Sequence, residues 1–235
     1  MSQYTGSIPV DDVHRWKADA TQRLLGFTIG ISDEQWHEPS PLPGWSRAHV
    51  ATHVARGADY LRDVVTAVSA GRPQPRPPTA AQRRAALEMG ADRTGLELQI
   101  DLDTSAGALQ AAIETVTYWT SPVILHGRKL ILSAVPLSRL HEVCIHHLDL
   151  DRDHSPDAFD PDAAAWLLRW VLDLRRDEDF PALRIEGDSL IAQLGSGDQP
   201  RRVTGSDARL WAWLSGRLPA SAVSGADGLQ PSLLA

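Results

Sequence analysis

The sequence predicts a mainly α protein: a helical bundle over residues 1–152 and a small α+β unit over residues 153–235. Three observations carry this reading. Apolar residues recur at helical spacing through most of the first 150 positions. A polar, turn-rich run at residues 151–160 (Asp-Arg-Asp-His-Ser-Pro-Asp-Ala-Phe-Asp) then interrupts the pattern. Beyond it, short strand-like runs stand at 182–186, 190–194 and 201–204.

Residues 9–31 form the first expected helix. Val13, Trp16, Ala20, Leu24, Phe27 and Ile31 line one face, and Pro9 with Asp11 and Asp12 suits a helix start. Residues 38–44 carry three prolines and must be irregular. Ser46 caps a second helix that runs to about Ala70, with Val50, Val54, Gly57, Leu61, Val64 and Val68 as its apolar stripe. Residues 72–78 are a proline-rich loop. Thr79 is read as opening a third helix to about Leu98, and Ser105 a fourth to about Tyr118. A short hairpin is expected at 123–125 and 129–132, turning at His126-Gly127-Arg128. Pro136 then starts a helix to Leu150. In the second unit the reading is one helix over 161–175, the three strands, and a helix from Ser206 to Leu214. The tail after Leu218 is small and polar and is expected to lack fixed structure.

Composition excludes several function classes. A net charge of −7 argues against nucleic acid or an anionic membrane surface as partner. No apolar run approaches the roughly 18 residues of a membrane span. The start Met1-Ser2-Gln3-Tyr4 has neither the basic nor the apolar region of a secretory leader, so a cytoplasmic location is expected. The single cysteine, Cys144, rules out an intrachain disulfide and a cysteine-based zinc knuckle.

The residues with most chemistry lie on two helices. His53 falls about 60° from the centre of its helix's apolar stripe, on the flank of the buried face. Glu142 and His146 are four apart and share a face, which Arg139 and Asp149 extend. Two imidazoles and one carboxylate are a first shell that leaves a zinc position open, and helical bundles build such sites from facing helices. The spacing alone favours a hydrogen-bonded core or boundary histidine and a local Glu–His surface pair over a metal site. His141, His147 and His154 are read as non-ligands. Cys144 lies about 160° from His146 round the helix and reads as a packed thiol.

Two segments resemble a known family. Gly44-Trp45-Ser46-Arg47-Ala48-His49-Val50-Ala51-Thr52-His53-Val54-Ala55 is similar to its GW[ST]RxHxxxHxA signature. Arg139-Leu140-His141-Glu142-Val143-Cys144-Ile145-His146-His147-Leu148-Asp149-Leu150 is similar to its RxxEVxxHxxDL signature. Order, spacing and the Gly127-Arg128 hairpin between them match as well. The family is the mycothiol-dependent maleylpyruvate isomerases, whose N-terminal domain is a DinB-like four-helix bundle.

The resemblance implies zinc, or another divalent metal, on His53, Glu142 and His146. It implies mycothiol as thiol cofactor and cis–trans isomerisation of maleylpyruvate to fumarylpyruvate by reversible, metal-assisted thiol addition. An early arginine of the third helix is linked to substrate in that family. Here Arg83 is preferred and Arg84 is the alternative. Asp149 and Arg139 would support the ligands from behind. Two other functions stay open: mycothiol S-transfer to a different electrophile, and a non-catalytic metal- or ligand-binding module. The second would use the tryptophans of the last 80 residues. Trp166 and Trp170 share a helix face as core, whereas Trp211 and Trp213 face different sides, so that one is expected at the surface.

Overall fold

A computed structural model describes residues 8–234 and divides the chain into two compact units. The start of the chain, on which the leader expectation rests, lies outside the described residues, as does Ala235.

The unit Val10–Arg152 contains α1 (Val10–Thr28), a short α2 (Asp33–His37), α3 (Arg47–Ser69), α4 (Ala80–Ala91), α5 (Gly95–Glu114), a hairpin of β1 (Pro122–Leu125) and β2 (Arg128–Ile131), and α6 (Ala134–Leu150). The long helices α1, α3, α5 and α6 form the bundle: α3 packs on α5 and α6, and α1 on α6 and α5. Leu24, Val50, Val54, Leu98, Leu102, Val143 and Leu150 fill its core.

Two elements differ from expectation. The third and fourth helices break at Asp92–Thr94, not near Leu98. Thr94 accepts from the Glu97 amide and the Glu97 side chain bonds back to the Thr94 amide, a closed capping box. Ser105 is buried inside α5 and spends its hydroxyl on the Leu102 carbonyl, so it caps nothing. The unexpected α2 starts at Ser32 with its own capping box to Gln35.

The hairpin turns on two residues. Leu125 pairs with Arg128, and His126 (φ 50°) and Gly127 (φ 73°) both take positive φ. That is a type I′ geometry, the turn whose twist matches antiparallel strands. The Gln74 carboxamide from the proline-rich loop bonds both main-chain groups of Ile124: Nε2 donates to the carbonyl (2.7 Å) and Oε1 accepts from the amide (2.9 Å). Gln74 Nε2 also reaches the Tyr60 hydroxyl on α3.

The second unit includes residues 153–234. It holds α7 (Pro161–Arg175), β3 (Leu183–Glu186), β4 (Ile191–Leu194), β5 (Arg201–Thr204) and α8 (Asp207–Leu214). The sheet order is β4-β3-β5, with β3 antiparallel to β4 and parallel to β5. Trp211 and Trp213 are both 0 % exposed, which corrects the expected surface tryptophan. The reason is that α8 is covered by α7 and also by the Phe159 ring, which meets Trp211 at 5.4 Å. The tail is likewise ordered. Arg175, 0 % exposed, donates to the Leu214 carbonyl and to the Ser232 hydroxyl and carbonyl.

Candidate metal centre

The first signature builds the start of α3. Ser46 caps the helix and His49 closes the box, its Nδ1 lying 3.2 Å from the Ser46 amide. His49 therefore has a structural task that its spacing did not announce. Arg47 donates to the Leu150 carbonyl (3.0 Å) and to Glu38 (2.9 Å). It ties the first turn of α3 to the last turn of α6 and so sets the two helices in register. One and a half turns further, the His53 ring meets Trp45 at 5.2 Å and His146 of α6 at 4.8 Å, with the two imidazoles 77° apart.

On α6 the buried stripe is held from behind. His146 Nδ1 lies 2.8 Å from Asp149 Oδ2, both groups being buried. An ionised carboxylate only accepts, so Nδ1 is the donor in this contact and Nε2 is the ring nitrogen left for another partner. Arg139 Nη1 donates to Glu142 Oε2 (3.0 Å) and, across the helix interface, to the Val54 carbonyl (2.7 Å). Glu142 rests where α3 has no side chain: a Cβ on Gly57 would stand 1.9 Å from Glu142 Oε1. Gly57 is one turn beyond His53, so the bare patch lies beside the imidazole.

Burial pushes His53 down to about 4, and the neighbouring His146 adds to this while Glu142 opposes it. The imidazole is therefore neutral at physiological pH, the form that binds a metal. Cys144 goes the other way, pushed up to about 12 by burial, and is a closed thiol rather than a nucleophile. Arg83 and Arg84 are both exposed on α4. Arg83 donates to the Pro78 carbonyl (2.7 Å), and Arg84 lies 3.9 Å from Glu88.

Four residues near the stripe were missed in the sequence. Gly57 was counted only as part of the apolar stripe, although a glycine in a helix interior is itself a signal of close approach. Lys17 of α1 is 4 % exposed, bonded to Gln110 and close enough to feel the charge of Arg139. Helical spacing gave no hint that a lysine would turn inward. His126 from the hairpin turn meets Ser138 Oγ at 3.0 Å, one turn before Glu142 on the same face of α6.

The family model for the mycothiol maleylpyruvate isomerase N-terminal domain matches residues 18–151. Two solved structures align over 97 % of this chain and 98 % of theirs, each at a TM-score of 0.86. One is a crystal structure of mycothiol-dependent maleylpyruvate isomerase, at 19 % identity, and the other is a histidine-to-alanine mutant of that enzyme, at 20 %. At such identity the likeness establishes the fold: a mainly helical bundle with a small α+β unit. No curated protein matches. With its model spanning more than half of the sequence, and with both signatures inside that span, this chain belongs to the mycothiol maleylpyruvate isomerase family.

Proposed function

We propose that the protein is a mycothiol-dependent isomerase that converts maleylpyruvate to fumarylpyruvate, with a divalent metal, zinc by its donor set, on His53, Glu142 and His146. The observation that carries this reading is the meeting of the His53 and His146 rings across α3 and α6, beside a carboxylate seated in the bare patch at Gly57. The donor types suit a divalent ion on three counts, although the three ligand atoms do not all lie within 4.8 Å of one another. Two are imidazoles, one of them held neutral by burial. The third is a carboxylate whose other contact, Arg139, fixes its direction. The second nitrogen of His146 is bonded to Asp149, the usual backing of a metal-bound histidine.

When bound, the metal lowers the pKa of the visiting thiol and polarises a substrate carbonyl, and reversible addition of that thiol to the alkene frees it to rotate. The chain's own part is positional. Arg139 and Asp149 hold the ligands still before anything arrives. Cys144, as a buried neutral thiol, does not compete with mycothiol. Arg83, with Arg84 as the alternative, would leave its contact at Pro78 to pair with a substrate carboxylate. The single cysteine suits a cytoplasmic location, and a net charge of −7 suits small-molecule partners better than nucleic acid.

Metal analysis of the purified protein beside a His53→Ala/His146→Ala variant tests the centre. The native chain should hold close to one ion and the variant almost none; equal content would remove the claim. Turnover of maleylpyruvate with mycothiol returned unchanged tests the reaction, and consumption of mycothiol into a stable adduct would identify an S-transferase instead.

A further inference from the structure

The hairpin turn breaks a local rule. A two-residue type I′ turn needs positive φ at both positions, and asparagine followed by glycine is the usual solution. Here the first position is His126, at φ 50°, a conformation uncommon outside glycine that histidine shares with asparagine and aspartate. Although the residue as a whole is exposed, its Nε2 lies 3.0 Å from Oγ of the buried Ser138. Ser138, Glu142 and His146 recur every four residues on one stripe of α6. The imidazole is held below its ordinary pKa mainly by burial, while the carboxylate of Glu142 acts on it in the opposite direction. The turn itself is fixed: Gln74 grips Ile124, two residues upstream, by both of its main-chain groups.

Position gives the group its task. Along the helix axis Ser138 stands about 6 Å from Glu142 and about 12 Å from His146. A diacid with six carbon–carbon bonds of about 1.5 Å spans roughly 7.5 Å when extended, because the zigzag projects each bond to about 1.25 Å. We propose that His126, steadied by Ser138, binds the carboxylate end of the unsaturated diacid that lies away from Glu142 and His146. This rests on the isomerase reading for the substrate's identity, but only on the hairpin and α6 for the site. Ser138 is a positioning residue: it acts through the imidazole. Histidine rather than asparagine then stands at residue 126 because an asparagine there would suit the turn but fall short of the diacid.

The test uses the metal-loaded full chain, native, His126→Asn and Ser138→Ala, with fumarate as a non-reacting diacid. Calorimetry should show fumarate binding about tenfold or more weaker in H126N, and a smaller loss in S138A. KM for maleylpyruvate should rise in parallel while kcat stays within about twofold. Metal content should not change, and the melting temperature of H126N should stay level or rise, because asparagine suits the turn. Unchanged fumarate affinity in H126N would overturn the proposal. So would a fall in melting temperature with loss of metal, which marks a purely structural histidine. If the native protein binds fumarate, H126N does not, and neither turns over maleylpyruvate, the isomerase reading fails and the diacid site stands. If the native protein does not bind fumarate, the site fails whatever the turnover.

Discussion

Single residues do separable work around the two facing helices. Gly57 is the clearest case. Alanine is the better helix former, so Gly57→Ala should leave the bundle's melting temperature within a few degrees. Its methyl group would nonetheless displace the Glu142 carboxylate, which is the movable partner in that contact. We expect metal affinity to fall by about 10–100-fold, measured by competition with a chelator, the scale seen when the support of a ligand is lost. Lys17 tests burial in another way. Burial brings it down to about 8, with the Arg139 charge adding to the effect and Glu114 opposing it. A folded-state pKa below the unfolded one means that the proton weakens the fold. Stability should therefore rise as pH climbs from about 8 towards 10.5. In Lys17→Met that rise should be absent, and at pH 7 the variant should be more stable by on the order of 1–3 kcal/mol, in denaturant titrations.

At the scale of elements, what could be read depended on whether the signal was local. The helices α1, α3 and α6 follow from apolar periodicity; Ser46 caps α3 where the sequence suggests, whereas α6 begins at Ala134, ahead of the expected start at Pro136. The division of α4 from α5 was misread because Ser105 imitates a cap, while the true box, Thr94 with Glu97, sits inside what looked like a continuous helix. The nearness of His53 to His146 was suggested by residue spacing and by the linked signatures. The approach of His126 was not, because nothing in a hairpin's own sequence says which helix its turn will meet. The ordered tail was missed for a related reason: its anchor, Arg175, lies 57 residues upstream of Ser232. Replacing Arg175 by methionine leaves buried carbonyls without donors. We expect a loss of about 2–4 kcal/mol, with hydrogen exchange rising first in residues 229–234.

For the whole molecule, composition limited the function classes and the paired signatures supplied the family. A single cysteine, an acidic balance and ordinary apolar content describe many globular proteins, and only the two motifs together narrowed them. Among the described residues no helix is long and apolar enough to cross a membrane. The hairpin has one more consequence at this scale, for how copies of the chain treat one another. A two-stranded ribbon has two open edges, and an open edge is a template on which another chain can add a strand. Along β2 the edge carries Arg128 and Lys129, whose charges repel such an addition. Along β1 the exposed Ile124 would invite it. There the Gln74 carboxamide occupies the outward amide and carbonyl, standing in for one residue of a third strand. The same side chain that steadies the turn thus blocks strand addition at Ile124, and with the proposed diacid site it would link solubility and substrate recognition through one glutamine.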